Sequence, residues 1–115
     1  MSVLINATTG NILATRIDKL STFIQRAIGL LARSTLRPDE GVIITPCRAI
    51  HTIGMRMPID VIFVDRNSRV VRAYPDVYPN RWLLSCPGAQ SVFELGNGAL
   101  RETEIVPGDF LELRA

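Results

Sequence analysis

The stretch CRAIHTIGMRMPIDVIFVD, residues 47–65, carries the strongest structural signal in this chain. Its second half, Ile59 to Val64, is apolar at every position except Asp60, which predicts a strand buried on both faces. Arg56 and Asp60 stand four residues apart on either side of Pro58, where this strand should begin. Because a buried polar group needs a partner, the stretch predicts either a functional site or a braced core.

Strand signals continue on both sides of this stretch. Apolar runs at residues 3–5 and 12–14 flank a turn that contains glycine, which predicts a β-hairpin. Residues 65–68 predict a second turn, the proline-containing segment 74–82 predicts a surface loop, and residues 99–104 predict a short helical turn. Further strands are predicted at residues 42–44, 69–74, 91–95 and 110–113, the last after a type II turn at residues 106–109.

One main helix is predicted in the N-terminal half. Apolar residues between Leu20 and Leu31 recur with a period near 3.6, Asp18 or Ser21 could cap the start, and Pro38 closes the segment. We therefore predict a single domain of residues 1–115 in the α+β class. It should be dominated by β-strands, as a mostly antiparallel small barrel or rolled sheet around the helix.

Composition restricts the classes of function. The net charge of +2 is too small to predict a nucleic-acid partner, and 47% hydrophobic residues indicate a folded chain. Twelve of the thirteen basic residues are arginines, which suits anion recognition, although a skewed base composition would give the same bias. With no apolar run of about 20 residues and no signal-peptide pattern, we predict a cytoplasmic protein in which Cys47 and Cys86 stay reduced.

Several blocks together form a recognisable pattern: Arg26-x-x-Gly29-Leu30-Leu31, His51-Thr52-x-Gly54-Met55-Arg56-x-Pro58-Ile59-Asp60, Ala89-x-Ser91-Val92-x-Glu94-Leu95 and Pro107-Gly108-Asp109. Over residues 16–113 the chain resembles the bacterial and archaeal family called domain of unknown function 192. The resemblance implies a compact β-rich domain with one main helix. It implies no reaction, because the family has no established activity. Many members have Trp and Asn where this chain has His51 and Gly54.

Arg56 and Asp60 allow two interpretations. A buried Asp needs a cation or several N–H donors, and Arg56 is the nearest cation in the sequence. In a straight strand both side chains would point to the same face, so Arg56 could bind an anion while Asp60 orients it. Alternatively, they form a buried structural pair, in which loss of one partner costs about 3–5 kcal/mol.

Cys47, His51 and Cys86 leave further alternatives open. Three such residues could bind zinc, but their spacing matches no closed motif, and the two cysteines could form a disulfide in an oxidising compartment. In an enzyme, His51 would lower the pKa of a thiol while Asp60 orients the imidazole ring. No glycine-rich oxyanion loop accompanies either cysteine, so the preferred prediction has no catalytic residue, metal or cofactor.

The predicted ligand site combines residues of the central stretch with two from the proline-containing loop: His51, Thr52, Arg56, Asp60, Arg81 and Trp82. Trp and Arg dominate binding hot spots. The site predicts a non-catalytic binding or accessory module for an anionic small molecule or an acidic peptide, without a nucleic-acid or membrane partner. The alternatives are a cysteine–histidine enzyme (a hydrolase or thiol chemistry) and a protein-binding subunit of a larger assembly. The oligomeric state is not predicted.

Overall fold

The computed structural model describes residues 2–20 and 36–115. Within these ranges the chain forms nine strands and one short helix. They are, in order, β1 Ser2–Asn6, β2 Asn11–Leu20, β3 Glu40–Ile44, β4 Ala49–Ile50, β5 Ile59–Val64, β6 Val70–Val77, β7 Leu84–Ser85, β8 Ser91–Gly96, α1 Ala99–Glu102 and β9 Leu111–Arg114.

Seven strands form one sheet in the order β6-β5-β8-β3-β2-β1-β9, and β4 pairs with β7 in a separate two-stranded sheet. β1 lies antiparallel to both β2 and β9, whereas β2 and β3 run parallel. The sheet is therefore mixed, and the predicted mostly antiparallel sheet was wrong in this detail. The long connection from Leu20 to Glu40 allows it, because parallel neighbours need a crossover of a dozen or more residues.

The sheet curls until its two edges meet at one corner. The N–H of Val70 donates to the carbonyl of Asp109 at 2.8 Å, and the N–H of Leu111 donates to the carbonyl of Ser68 at 2.9 Å. Arg69 also forms an isolated antiparallel bridge with Phe110. The result is a curled half-barrel dominated by β-strands, in agreement with the predicted small barrel or rolled sheet at that level of description.

The strand predicted from the central stretch is buried on both faces, which confirms that prediction. All six residues of β5 are buried, and so are all six of β8 beside it. Ile59, Val61 and Phe63 enter one apolar cluster, and Ile62 and Val64 enter the other. A strand between two apolar layers needs apolar residues at consecutive positions, which explains the unbroken run.

The predicted turns also form. The N–H of Asp109 donates to the carbonyl of Val106 at 3.1 Å, and Gly108 has φ +95°, as a type II turn requires. In the turn after β5, Asp65 accepts from the N–H of Asn67 at 2.8 Å. The predicted loop at residues 74–82 begins later than expected, because β6 continues to Val77.

The helix predicted in the N-terminal half does not begin where the sequence indicated. Leu20 ends β2 and pairs with Ile44, and Asp18 pairs with Val42, so neither residue starts or caps a helix. The remainder of that prediction, residues 21–35, lies outside the described residues. The helix described is α1, within the short helical turn predicted at residues 99–104. In the described ranges no helix has the length and apolarity needed to cross a membrane.

Candidate functional site

Asp60 lies in β5, fully buried, and four N–H groups surround its carboxylate. Oδ1 accepts from the backbone N–H of Asp76 at 3.0 Å and from Nδ2 of Asn97 at 3.2 Å. Oδ2 accepts from the backbone N–H groups of Gly98 at 3.2 Å and Leu100 at 2.8 Å. Asp60 therefore satisfies two of the free N–H groups at the start of α1 and fixes this helix to the sheet.

The predicted pairing of Arg56 with Asp60 is wrong. Arg56 is exposed, and among the ion pairs of residues 2–20 and 36–115 none joins it to Asp60. The physical reason is that N–H groups, and not a cation, stabilise the carboxylate of Asp60. Several N–H donors stabilise a buried carboxylate as well as a guanidinium does.

A second layer of polar contacts surrounds Asp60. Asp76 Oδ1 accepts from Nη2 of Arg101 and from Nδ2 of Asn97, each at 2.7 Å. These hydrogen bonds, first that from Asn97 and then that from Arg101, hold the pKa of Asp76 below its ordinary value. We call Asp60, Asp76, Asn97 and Arg101 the Asp60 network. The polar groups of the network bind one another, so we assign these residues a structural role.

Thr52 joins two segments of the chain, residues 45–58 and 77–90. Its side chain is 1% exposed, and its hydroxyl donates to the carbonyl of Tyr78 at 2.7 Å and accepts from the N–H of Arg81 at 2.9 Å. Its backbone N–H donates to the carbonyl of Arg81, and its carbonyl accepts from the N–H of Asn80, both at 3.0 Å. Thr52 thus brings the predicted site residues of the two segments together.

We call the surface of these two segments the loop face. Of the predicted site residues, His51, Arg56, Arg81 and Trp82 are exposed on it. Trp82 is 82% exposed, and Tyr78 and Leu83 beside it are 69% and 61% exposed. The structure therefore places these four predicted residues and Thr52 on one pair of joined loops, and assigns Asp60 to the scaffold.

The charge of the loop face is one-sided. Residues 45–58 and 77–90 contain three of the thirteen basic residues, Arg48, Arg56 and Arg81, and none of the eleven acidic ones. All three arginines are exposed. With a total charge of only +2, the rest of the chain is close to neutral, so the loop face holds the excess positive charge.

The cysteines and the histidine do not assemble into a thiol–imidazole pair within the described residues. His51 is exposed, and its Nδ1 accepts from the N–H of Ile53 at 3.3 Å. Cys47 Sγ donates to the carbonyl of Ala49 at 3.1 Å, whereas Cys86 is buried in an apolar cluster. No disulfide joins Cys47 to Cys86, so the disulfide alternative does not form. No group of three metal-ligating side chains was found in the described ranges.

Glu94 is a residue whose setting the sequence reasoning missed. It lies in β8 between Val42 and Val61 and is 2% exposed. Among the described residues its Oε1 has no hydrogen-bond partner. Burial raises the pKa of Glu94 from its ordinary value of 4.5 to about 7. The available signal was a single carboxyl group in an otherwise apolar strand.

Fold and surface together define the class of this protein: a small, curled β-sheet domain that presents a joined pair of arginine-bearing loops. A model of the family DUF192, described as "Uncharacterized ACR", matches residues 4–113. The chain belongs to this family, as the sequence resemblance predicted. Among curated protein sequences, none matches this chain.

Two solved structures are similar to it over 97% of its length. One is a protein of unknown function from Novosphingobium aromaticivorans DSM 12444, with 26% identity, a TM-score of 0.81 and 84% of that chain covered. The other, from Sinorhizobium meliloti 1021, is described as a "putative transcription regulator", with 22% identity, a TM-score of 0.80 and 91% covered. The second shares the fold with this chain.

Proposed function

We propose that this protein is a non-catalytic binding module whose loop face recognises an acidic segment of a partner protein. The observation that carries the proposal is the composition of this face. It combines exposed arginines and a Trp82 that is 82% exposed with no acidic residue in residues 45–58 and 77–90. Asp76, which borders this face, is paired with Arg101. Such a surface complements a ligand that carries carboxylates among apolar side chains.

The physical argument begins with rigidity. Residues on the loop face are held by the hydrogen bonds of Thr52 and by the pairing of β4 with β7. Ile50, Met55 and Leu84 from these segments are buried in the apolar cluster beneath. A surface that is already ordered loses little conformational entropy on binding, which leaves more of the contact energy as affinity.

Exposed aromatic residues support the same function. A fully exposed Trp or Tyr contributes little to folding, yet aromatic residues and arginine are the types enriched at the centres of protein interfaces. Trp82 and Tyr78 stand on either side of Arg81 in the sequence, close to it on the same loop. A peptide is therefore favoured over an anionic small molecule, because it can engage several exposed side chains along a loop.

The buried cysteine bears on the compartment. We propose that the module works in the cytoplasm, where thiols stay reduced, because Cys86 is a free thiol packed in an apolar cluster. His51 Nδ1 accepts from the N–H of Ile53 and Cys86 is buried among apolar side chains, so these two residues give no support to the cysteine–histidine enzyme.

Trp82 is the only tryptophan, so its fluorescence reports directly on the loop face. We would titrate the protein with a short peptide of alternating Asp and Leu residues, and in parallel with the matched Asn and Leu peptide. The acidic peptide should shift the emission of Trp82 to shorter wavelength in a saturable way, and added salt should weaken the binding. Equal responses to the two peptides, or no response to either, would contradict the proposal.

A further inference from the structure

We infer that Arg81 and the cleft beside it form the anchor of the loop face, which binds one carboxylate and the apolar side chain next to it. This inference rests on the proposed function and makes it more specific. It names the residue that recognises the charge and the chemistry of the two neighbouring ligand groups.

Arg81 is held at three points. Its backbone N–H and carbonyl both bond to Thr52, which is itself buried. Its side-chain Nε donates to the carbonyl of Leu83 at 3.2 Å. These contacts fix one edge of the guanidinium against its own loop, so the Nη1 and Nη2 edge is the one presented to a ligand. That edge matches the two oxygens of a carboxylate in a bidentate pair.

The cleft next to Arg81 has a volume of about 350 Å³ and is lined largely by apolar groups, among them Tyr74, Val77, Pro79 and Leu84. This volume is sufficient for a side chain of the size of Leu or Phe. The two parts of the anchor therefore favour an acidic residue adjacent to a large apolar one.

Asp76 also lines this cleft, and its charge would oppose an anionic ligand. That carboxylate is already bound by Arg101 and Asn97, which offsets its charge at the cleft. The same contact argues against a phosphate as the ligand group. Phosphate is usually bound by clusters of arginines, and Arg101, the second guanidinium near this cleft, is paired with Asp76.

The test compares three arginine variants by calorimetry with the alternating Asp and Leu peptide, each variant first shown to unfold at the wild-type temperature. Arg81→Ala should weaken binding by about tenfold or more, as expected for a hot-spot arginine. Arg81→Lys keeps the charge but loses the planar fork, and should weaken binding by roughly threefold to tenfold. Arg66→Ala removes an exposed arginine from the turn after β5 and should leave binding unchanged.

The ligand is varied in the same way. Replacing Asp by Asn should abolish the effect of Arg81→Ala, and replacing Leu by Ala should weaken binding to the wild type. If Arg81→Lys binds as tightly as the wild type, or if Arg66→Ala weakens binding as much as Arg81→Ala, Arg81 is not the anchor. The proposal that the loop face binds an acidic segment would not be affected by that result. If the wild type binds no acidic peptide, the proposed function falls as well.

Discussion

Asp60 and Arg81 are both polar residues beside the apolar core, but the chain uses them in opposite ways. Asp60 is fully buried, and four N–H donors occupy both of its oxygens. Arg81 is exposed and is held by its backbone and by Nε, and we propose that its outer edge meets the ligand. On this proposal, a polar group with complete internal contacts belongs to the scaffold, whereas recognition needs a group that is held firmly but only in part.

Glu94 extends the comparison to a third case. It is buried like Asp60, yet within the described residues its Oε1 lacks the donors that Asp60 collects. Two carboxyl groups on neighbouring strands thus differ in how burial is offset: one by hydrogen bonds, the other by its raised pKa.

We expect the largest loss of stability from a substitution that breaks the Asp60 network. Asp60→Ala leaves four partly buried N–H groups without this acceptor, so the free energy of unfolding should fall by about 3–5 kcal/mol. Urea denaturation measures the change. Asp39→Ala, which removes an exposed carboxylate, serves as the control and should have little effect. Equal stabilities for the two variants would show that the hydrogen bonds of Asp60 do not hold the fold together.

The next largest effect is a change of stability with pH, and it tests the raised pKa of Glu94. Because its folded pKa of about 7 lies above the ordinary value of 4.5, Glu94 contributes stability below pH 4.5 and loses it as pH rises through 7. The difference across this window is roughly 3 kcal/mol. Glu94→Gln should therefore be more stable than the wild type at pH 8, and this advantage should vanish near pH 4. Parallel pH profiles for the two proteins would contradict the assignment.

A smaller effect concerns the residue that connects scaffold and surface. Thr52→Ala removes the hydroxyl that bonds to Tyr78 and Arg81, and should cost about 2 kcal/mol of unfolding free energy. Thr52→Ser keeps the hydroxyl and should lose less. Amide hydrogen exchange should show faster opening of residues 77–90 in the Ala variant. Unchanged protection there would mean that other contacts hold the loop.

The smallest effect on stability belongs to the loop face itself. Trp82→Ala should change the free energy of unfolding by less than about 0.5 kcal/mol, because the side chain is 82% exposed. The same variant should bind the Asp and Leu peptide at least about tenfold more weakly. Calorimetry on Trp82→Ala measures both quantities. Loss of stability without loss of binding would reverse the roles that we assign to the two regions.

The sequence predicts those parts of the fold that depend on local pattern. The apolar run of β5, the turn at residues 65–68 and the Pro-Gly turn before β9 are all encoded within a few residues. It does not predict the two-residue strands β4 and β7, because such short strands exist only through their pairing with each other.

The candidate site shows the same division. That residues 51–56 and 81–82 lie on joined loops was predictable from residue type, since Trp and Arg near a proline-containing loop indicate recognition. The partners of Asp60 were not predictable. Leu100 lies 40 residues away in the sequence, and no local pattern links a buried Asp to the first turn of a distant helix. Arg56 is close to Asp60 in the sequence, and for this reason it was predicted as the partner of Asp60 although it is not.

The first strand of the sheet depends on a strand that is synthesised much later. β1 pairs with β9, so Val3 lies opposite Arg114, which is far from it in the sequence. During synthesis, one backbone edge of β1 therefore stays open until β9 emerges from the exit tunnel of the ribosome. Exposed edges invite pairing with other chains. Translation stalled before residue 111 would prolong this vulnerable interval, which is when a chaperone would matter most.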